Sequence, residues 1–358
     1  MKKARVLVID DSALIRQILT RGLAKDDDIE VVGAAGDPYQ ARDKIVQLKP
    51  NVLTLDVEMP RMDGVEFLRR LMPQYPIPTV MVSSLTERGK QITLEAMEAG
   101  AVDIVAKPKA DVARGMEDML DDLREKVKTA AQVDVSHWKR LAGLKKAPVA
   151  RPPTTALAES TDKVIAIGAS TGGTEALRTV ITALPANTPG VVIVQHMPPG
   201  FTAMFAERLN SQSEMTVQEA RDDDRVLSGR VLIAPGDYHM RVVRSGGIYK
   251  VKLSHEEKVS GHRPSVEVLF QSVAEYVGPN AVGAILTGMG RDGDKGMLAM
   301  RKRGARTIGQ DKETSVVYGM PREAYQLGGV ELQVPIQDVA GAILNALRKP
   351  VQSTEERR

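Results

Sequence analysis

The residue whose surroundings most suggest chemistry is Ser170, in the stretch Gly168-Ala-Ser-Thr-Gly-Gly173. The apolar run 164–167 predicts a buried parallel strand before it, and the glycines predict a tight turn into a helix that begins near Thr174. Ser170 is therefore expected at the carboxyl end of a strand, where open α/β sheets build their sites. The stretch also fits the pattern G-x-S-x-G, in which small neighbours leave a nucleophilic serine exposed at a sharp turn.

Two other interpretations of this stretch stay open at the level of local sequence. Ser170 could belong to a serine/threonine turn that caps the following helix. The glycines could instead cradle a phosphate, but their spacing is G-x-x-x-G-G rather than G-x-G-x-x-G. In addition, no acidic residue follows at a strand end about 20 positions later, as a dinucleotide site requires.

Histidine is scarce, and only one of the five histidines shares the strand-end position of Ser170. His196 follows the apolar run 191–194 almost directly, which makes it the candidate general base, although a histidine that only bonds locally is the alternative. His239 is a weaker rival as base. The seven-residue spacing of His255 and His262 makes them a poor pair for a metal.

The candidate acid is Asp292, in a glycine-rich turn that follows the predicted strand 282–286. An Asp-Gly pair is often an ordinary turn. Together with Ser170 and His196, however, Asp292 would complete a nucleophile, base and orienting acid for acyl transfer. The backbone amides of Thr171 and Met289 are candidate oxyanion donors. The order Ser, His, Asp differs from that of α/β-hydrolases and predicts a convergent triad on another fold.

A second set of polar residues lies at predicted strand ends in the first third of the chain: Asp10 and Asp11, Asp56, Ser83, and Lys107. Three carboxylates at one sheet edge repel one another unless a cation lies among them, and hard oxygen ligands suit Mg²⁺. A carboxylate beside Mg²⁺ and a lysine is placed to attack a phosphoryl group. Any one of these aspartates alone could simply cap a helix.

Length and composition limit the remaining possibilities. A chain of 358 residues predicts two domains, and alternating strand and helix patterns predict α/β architecture with two doubly wound parallel sheets. A net charge of +3 from 49 basic and 46 acidic residues gives no support for binding nucleic acid or a membrane surface. The absence of cysteine excludes disulfides and thiol catalysis. With no apolar run of 18 residues, a cytoplasmic protein without membrane insertion is expected.

We expect domains at 1–128 and 163–348, a linker at 129–162 and a polar tail at 349–358. The apolar periodicity fades after residue 128, and Pro148 with Pro152-Pro153 marks a stiff, solvated stretch. Trp138, the only tryptophan, could dock this stretch against a domain.

The first domain resembles the receiver domain of bacterial response regulators. The resemblance rests on Ile9-Asp-Asp-Ser12, Leu55-Asp56, Met59-Pro-x-Met-Asp-Gly64, Ser83 and Lys107-Pro108. It implies a flavodoxin-like fold in which Asp56 accepts phosphate from a histidine kinase and Asp10 and Asp11 help to hold Mg²⁺. Ser83 and Lys107 would contact the phosphoryl group.

The second domain resembles the chemotaxis methylesterase family. The matching stretches are Gly168-Ala-Ser-Thr-Gly-Gly173, Gln195-His-Met-Pro-Pro199, Ile233-Ala-Pro-Gly-Asp237, Arg263-Pro-Ser265, Leu286-Thr-Gly-Met-Gly290 with Asp292-Gly293, and Gly319-Met-Pro-Arg-Glu-Ala324. The resemblance implies that Ser170, His196 and Asp292 hydrolyse glutamate methyl esters on chemoreceptors and deamidate receptor glutamines, without a cofactor. Glu267 stands where aspartate is expected, a change that should not affect the chemistry.

These resemblances together predict a serine hydrolase gated by phosphorylation, acting as a monomer. One hypothesis is that the unphosphorylated receiver covers the Ser170 cleft until phosphorylation of Asp56 loosens the contact. Two rivals are a non-catalytic or DNA-binding output domain, which should show a basic recognition helix, and a nucleotide-dependent transferase using the glycine turn. No basic recognition helix is evident in the sequence.

Overall fold

The computed structural model describes residues 3–84, 86–108, 112–133, 135 and 162–348, apart from the side chains of 87–91 and 112–114. Contacts divide the chain into two units, Met1–Ala147 and Pro148–Arg358. The predicted linker lies largely outside the described residues, as do Trp138 and the predicted tail. The last helix of the first unit continues to Ala130, two residues beyond the expected boundary.

The first unit is a five-stranded parallel sheet between helices, with strand order β2-β1-β3-β4-β5. This order is the flavodoxin-like one, with a switch point between β1 and β3. Its elements are β1 (Ala4–Ile9), α1 (Ala13–Leu23), β2 (Ile29–Ala35), α2 (Pro38–Leu48), β3 (Val52–Asp56), α3 (Gly64–Leu71), β4 (Thr79–Ser83), α4 (Glu87–Glu98), β5 (Asp103–Ala106) and α5 (Val112–Ala130).

The second unit contains a seven-stranded parallel sheet, with strand order β14-β13-β12-β6-β7-β9-β8, and a separate antiparallel pair, β10 and β11. Its first half holds β6 (Val164–Ala169), α6 (Gly173–Ile181), β7 (Gly190–Gln195), α7 (Phe201–Asn210), β8 (Thr216–Glu219), β9 (Arg230–Ile233), β10 (His239–Ser245) and β11 (Ile248–Ser254). Its second half holds α8 (Val266–Tyr276), β12 (Ala281–Ile285), α9 (Asp294–Lys302), β13 (Arg306–Gln310), α10 (Met320–Gln326), β14 (Leu332–Val334) and α11 (Ile336–Arg348).

The central strands of this sheet are buried on both faces, which explains their continuous apolar sequence. Every residue of β6, β7 and β12 is buried, and β6 pairs with β7 on one side and with β12 on the other. The strand order reverses beside β6, because the chain runs outward through β7 and later returns to β12. Such a switch point opens a crevice beyond the carboxyl ends of the strands.

The fold class predicted from the sequence is confirmed: both units are parallel α/β sheets flanked by helices. Within the described residues, the helices are too short or too polar to cross a bilayer. The sequence prediction missed β2 in the first unit. In the second unit it missed β8, β13 and β14, the β10–β11 hairpin and the short helix α10.

Candidate active site

Ser170 directly follows β6, in a turn that leaves its side chain outside the helix that comes next. The amide of Gly173 donates to the Ser170 carbonyl at 2.7 Å, and α6 then starts at Gly173. The N-cap of α6 is Gly172, with φ of 76° and no side-chain cap. That left-handed conformation favours glycine. The helix-capping interpretation of Ser170 is therefore wrong, because Gly172 occupies the capping position.

Ser170, His196 and Asp292 form one continuous chain of hydrogen bonds. Ser170 Oγ lies 3.1 Å from His196 Nδ1, and His196 Nε2 lies 2.8 Å from Asp292 Oδ2. Because an ionised Asp292 carboxylate accepts hydrogen bonds and cannot donate them, His196 Nε2 must carry the proton. Nδ1 is then the hydrogen-bond acceptor that faces the serine. The ring thus presents Nδ1 to the serine hydroxyl, whereas the familiar serine-protease arrangement presents Nε2.

The Asp292 carboxylate is buried yet well supplied with donors. Its residue is 2% exposed, and it accepts hydrogen bonds from Ser265 Oγ, the Val266 amide and the Glu267 amide as well as from His196. Burial alone would raise the pKa of Asp292. The hydrogen bond and charge of His196, with the bonds from Ser265 and Val266, outweigh burial and hold that pKa below its usual value. Asp292 is therefore ionised and able to orient the imidazole at neutral pH.

The amide of Ser170 itself is not directed at a substrate, since it donates to the Thr287 carbonyl at 3.0 Å. The predicted oxyanion donors lie on either side of this contact. Thr171 is buried, and its carbonyl accepts from Thr287 Oγ1 at 3.0 Å. Met289 is half-buried and follows Gly288, which lies so close to Ser170 that a Cβ added at Gly288 would be 2.7 Å from the Ser170 Cβ.

Two residues near the candidate triad were missed by the sequence prediction. The ring of His262 stacks on that of His196, with centroids 3.8 Å apart and planes inclined by 17°. Gln195 Nε2 donates to the carbonyls of both Ser170 and His196, at 2.9 and 3.1 Å, and so ties the ends of β6 and β7 together. For the stacking role of His262 and the bridging role of Gln195, the only signal in the sequence was that Gln195 directly precedes His196.

The other histidines considered as bases or ligands have partners elsewhere. His239 is buried, and its Nε2 lies 2.9 Å from the Glu257 carbonyl. His255 is exposed and lies 3.1 Å from Asp237. The Glu267 side chain, where aspartate was expected, accepts from the Gly296 amide at 2.9 Å rather than contacting Asp292.

In the first unit, the predicted carboxylates meet at the carboxyl edge of the sheet. Ligand oxygens of Asp10, Asp11 and Asp56 lie within 4.8 Å of one another. Lys107 Nζ bridges the two buried carboxylates, at 2.9 Å from Asp10 and 2.8 Å from Asp56. Burial raises the pKa of Asp56 to about 6; the charge of Lys107 opposes this rise, and that of Asp10 adds to it. Three hard oxygen donors around one point fit a magnesium ion.

Ser83 and Ser12 complete this edge of the first sheet. Ser83 is fully buried; its hydroxyl accepts from Thr93 Oγ1 at 2.7 Å and lies 3.1 Å from the Ser84 carbonyl. The N-cap of α1 is Ser12, whose own amide donates to Asp10 at 2.9 Å. Neither Asp10 nor Asp11 is the helix cap that the alternative interpretation assumed.

The first sheet carries three carboxylates and a lysine at its carboxyl edge, and the second carries a serine, a histidine and an aspartate joined by hydrogen bonds. These two sites define the class of protein: a response regulator with an enzymatic output unit. Family models agree with this division, matching a response regulator receiver domain at residues 6–117 and the CheB methylesterase at residues 165–343. The chain belongs to the CheB methylesterase family, and the resemblance seen in the sequence is confirmed.

Relatives of similar length support this assignment over nearly the whole chain. A protein-glutamate methylesterase/protein-glutamine glutaminase of Syntrophotalea carbinolica is 62% identical, covering 97% of this chain and 98% of the relative. The protein of the same name from Salmonella typhimurium is 52% identical over 96% of this chain and 97% of its own. The crystal structure of the Thermotoga maritima CheB methylesterase catalytic domain is 40% identical. It covers 51% of this chain and 97% of that one, with a TM-score of 0.50.

Proposed function

We propose that this chain removes methyl esters from glutamate side chains of chemoreceptors and deamidates receptor glutamines. The single observation that carries the proposal is the unbroken path from Ser170 Oγ through His196 to Asp292, at 3.1 and 2.8 Å. It is supported by relatives named protein-glutamate methylesterase/protein-glutamine glutaminase that match nearly the whole chain.

In the proposed mechanism Ser170 is the nucleophile, His196 the general base and Asp292 the orienting acid. The Ser170 hydroxyl attacks the ester carbonyl while its proton moves to His196 Nδ1. Asp292 accepts from Nε2–H and stabilises the imidazolium that forms. When the tetrahedral intermediate collapses, the proton passes from Nδ1 to the leaving methoxide, and methanol departs. Water, activated by the same imidazole, then hydrolyses the glutamyl ester of Ser170. With a glutamine substrate the leaving group is ammonia.

The oxyanion of the tetrahedral intermediate needs donors other than the Ser170 amide, which is bonded to Thr287. We assign this role to the backbone amides of Thr171 and Met289. Thr171 is the next residue after the nucleophile, and Met289 follows the glycine that packs on the nucleophile's Cβ. Preorganised amides aimed at a developing oxyanion are worth on the order of 10²–10³ in rate each.

The direct test of the hydrolase proposal is methanol release from methyl-esterified receptor by the full chain. Ser170→Ala and Asp292→Ala should each lower the rate of methanol release by several powers of ten, to the residual catalysis that the oxyanion donors and substrate binding still supply. A matched control is Ser272→Ala, which removes a buried serine hydroxyl from the middle of α8. Undiminished release by Ser170→Ala would exclude the proposed mechanism.

In the first unit we propose that Asp56 accepts a phosphoryl group from a histidine kinase, with Lys107 and Ser83 as its contacts. Asp10, Asp11 and Asp56 would hold Mg²⁺, which when bound supplies positive charge that offsets the phosphoryl oxygens. Lys107 already spans Asp10 and Asp56 and would follow the charge when Asp56 is modified.

We further propose that phosphorylation of Asp56 raises the hydrolase rate of a monomeric, cytoplasmic enzyme. The test compares methanol release by the full chain with and without a small phosphodonor such as acetyl phosphate. Asp56→Ala should keep the basal rate and lose the response. If acetyl phosphate still raises the rate of methanol release in Asp56→Ala, a residue other than Asp56 must accept the phosphoryl group. Size-exclusion chromatography with light scattering tests the monomer expectation.

A further inference from the structure

One short segment touches the candidate acid from two directions. Ser265 is fully buried, and its Oγ donates to Asp292 Oδ1 at 2.7 Å. The next amide, of Val266, donates to Asp292 Oδ2 at 2.7 Å. Oδ2 is also the atom that accepts from His196, so the same turn holds both oxygens of the carboxylate whose direction orients the base.

The hydrogen bond from the Ser265 hydroxyl is the shorter of the two that Asp292 Oδ1 accepts. The only other donor found for that oxygen among the described residues is the Glu267 amide, at the longer distance of 3.2 Å. A carboxylate held firmly at one oxygen can still turn about its Cβ–Cγ bond, whereas one held at both oxygens has a fixed plane. Fixing the plane keeps Oδ2 in line with His196 Nε2.

The segment that carries Ser265 is itself firmly placed. Ser265 is the N-cap of α8 and accepts from the Val268 amide at 3.4 Å. Val266 packs against two glycines: a Cβ added at Gly168 would overlap its Cγ1, and one added at Gly293 would lie 2.5 Å from the same atom. Through Val266, the first turn of α8 thus packs between the end of β6 and Gly293, the residue after Asp292.

We propose that Ser265 is a positioning residue of the active site, which fixes the Asp292 carboxylate so that it can orient His196. This inference rests on the proposed roles of Ser170, His196 and Asp292. It goes beyond them because a buried serine at a helix N-terminus would otherwise serve only to cap that helix, a role that contributes to stability but not to catalysis. The two roles make different predictions.

The test measures the rate at which a fluorescent fluorophosphonate labels Ser170 in the full chain, with thermal unfolding measured on the same samples. Ser265→Ala should slow labelling roughly tenfold to a hundredfold, the range expected for loss of a hydrogen bond to a charged group. The matched control is Ser272→Ala, which removes a buried hydroxyl of α8 that bonds the Leu269 carbonyl and the Val242 amide instead. It should lower the unfolding temperature without slowing the labelling.

A double-mutant cycle separates positioning from general damage. If Ser265 acts through Asp292, adding Ser265→Ala to Asp292→Ala should slow labelling no further. Ser265→Gly supplies a second variant, since glycine is nearly as good an N-cap as serine and removes the same hydroxyl. Should Ser265→Ala destabilise too far to measure, the glycine variant carries the comparison.

Two results would overturn the inference: wild-type labelling rates in both Ser265 variants, or the same slowing by Ser265→Ala with and without Asp292. The proposed function has a separate readout in the same experiment. If Ser170→Ala is still labelled like the wild type, the nucleophile is misassigned. If labelling needs Ser170 but not Ser265, only the positioning role fails.

Discussion

Replacing Gly288 by alanine should displace Ser170, the proposed nucleophile, while leaving the fold in place. A Cβ at Gly288 would overlap Met320 Sδ and would lie 2.7 Å from the Ser170 Cβ and 3.1 Å from the Ser170 nitrogen. The methionine end is flexible and can move aside. Ser170 cannot do so without moving its backbone, which is fixed by the bond from its amide to the Thr287 carbonyl.

The geometry sets the size of the effect. Ordinary contact begins at 3.4 Å, so the Ser170 Cβ must retreat by about 0.7 Å from a neighbour at 2.7 Å. Overpacking of this kind costs about 1–3 kcal/mol of stability. A misplacement approaching 1 Å at a catalytic group costs roughly a hundredfold in rate. We therefore expect kcat to fall about a hundredfold in Gly288→Ala, with a modest loss of stability.

The assay is methanol release together with chemical denaturation, and the matched control is Gly283→Ala. A Cβ at Gly283, in β12, would lie 2.9 Å from Met300 Cε and 3.0 Å from Met297 Sδ, so it crowds methionines of α9 and makes no close contact with Ser170. Gly283→Ala should lose comparable stability and keep its kcat. Equal activity losses in the two variants would refute the reasoning, because the effect would then follow stability rather than the position of Ser170.

Three further predictions concern Asp292, His262 and the carboxylates of the first unit. Because the pKa of Asp292 is lowered, its ionisation contributes stability that is complete above the unfolded value of 3.8 and is lost as the pH falls through the folded value. Asp292→Asn should therefore show a weaker fall in the free energy of unfolding on acidification, measured by urea denaturation. His262→Ala should lower kcat by up to about tenfold through loss of the stack on His196, and His262→Phe should retain more of the rate. Chelation of divalent cations by EDTA should abolish activation by acetyl phosphate and leave basal methanol release unchanged, since the carboxylates that would hold Mg²⁺ lie in the first unit.

The sequence predicts the apolar central strands well, but it misses the edge strands, the hairpin and β13, whose sequence Arg-Thr-Ile-Gly-Gln is largely polar although four of its five residues are buried. Strands such as β6 and β7 are buried on both faces, so their apolar runs stand out in the sequence. The edge strands β8 and β14 are short and partly exposed, and β14 has only three residues. The β10–β11 hairpin mixes buried residues with half-buried and exposed ones and lies outside the parallel sheet. Such elements depend on tertiary partners that local patterns do not reveal.

The strand-end residues Ser170, His196 and Asp292 could be predicted, because parallel strands bring their carboxyl ends to one edge. The residues that contact and position these three side chains could not be predicted. His262 lies in a polar stretch between a hairpin and a helix, and nothing in its sequence neighbourhood places its ring on that of His196. Ser265 looks like an ordinary helix cap, and its bond to Asp292 spans 27 positions. Supporting contacts depend on how loops fold back over the sheet.

The order Ser, His, Asp along the chain follows from where the strand order reverses. Ser170, the proposed nucleophile, follows the central strand β6, and the chain then moves outward to β7, which is followed by His196, the proposed base. Only after β8 to β11 does the chain cross back to β12, on the other side of β6, and the loop after β12 carries Asp292, the proposed acid. The imidazole therefore approaches from one side and the carboxylate from the other. The carboxylate needs an external anchor, because its loop runs seven residues beyond β12, and the first turn of α8 supplies that anchor through Ser265 and Val266. This dependence is why we expect loss of the Ser265 hydroxyl to affect catalysis as well as the stability of α8.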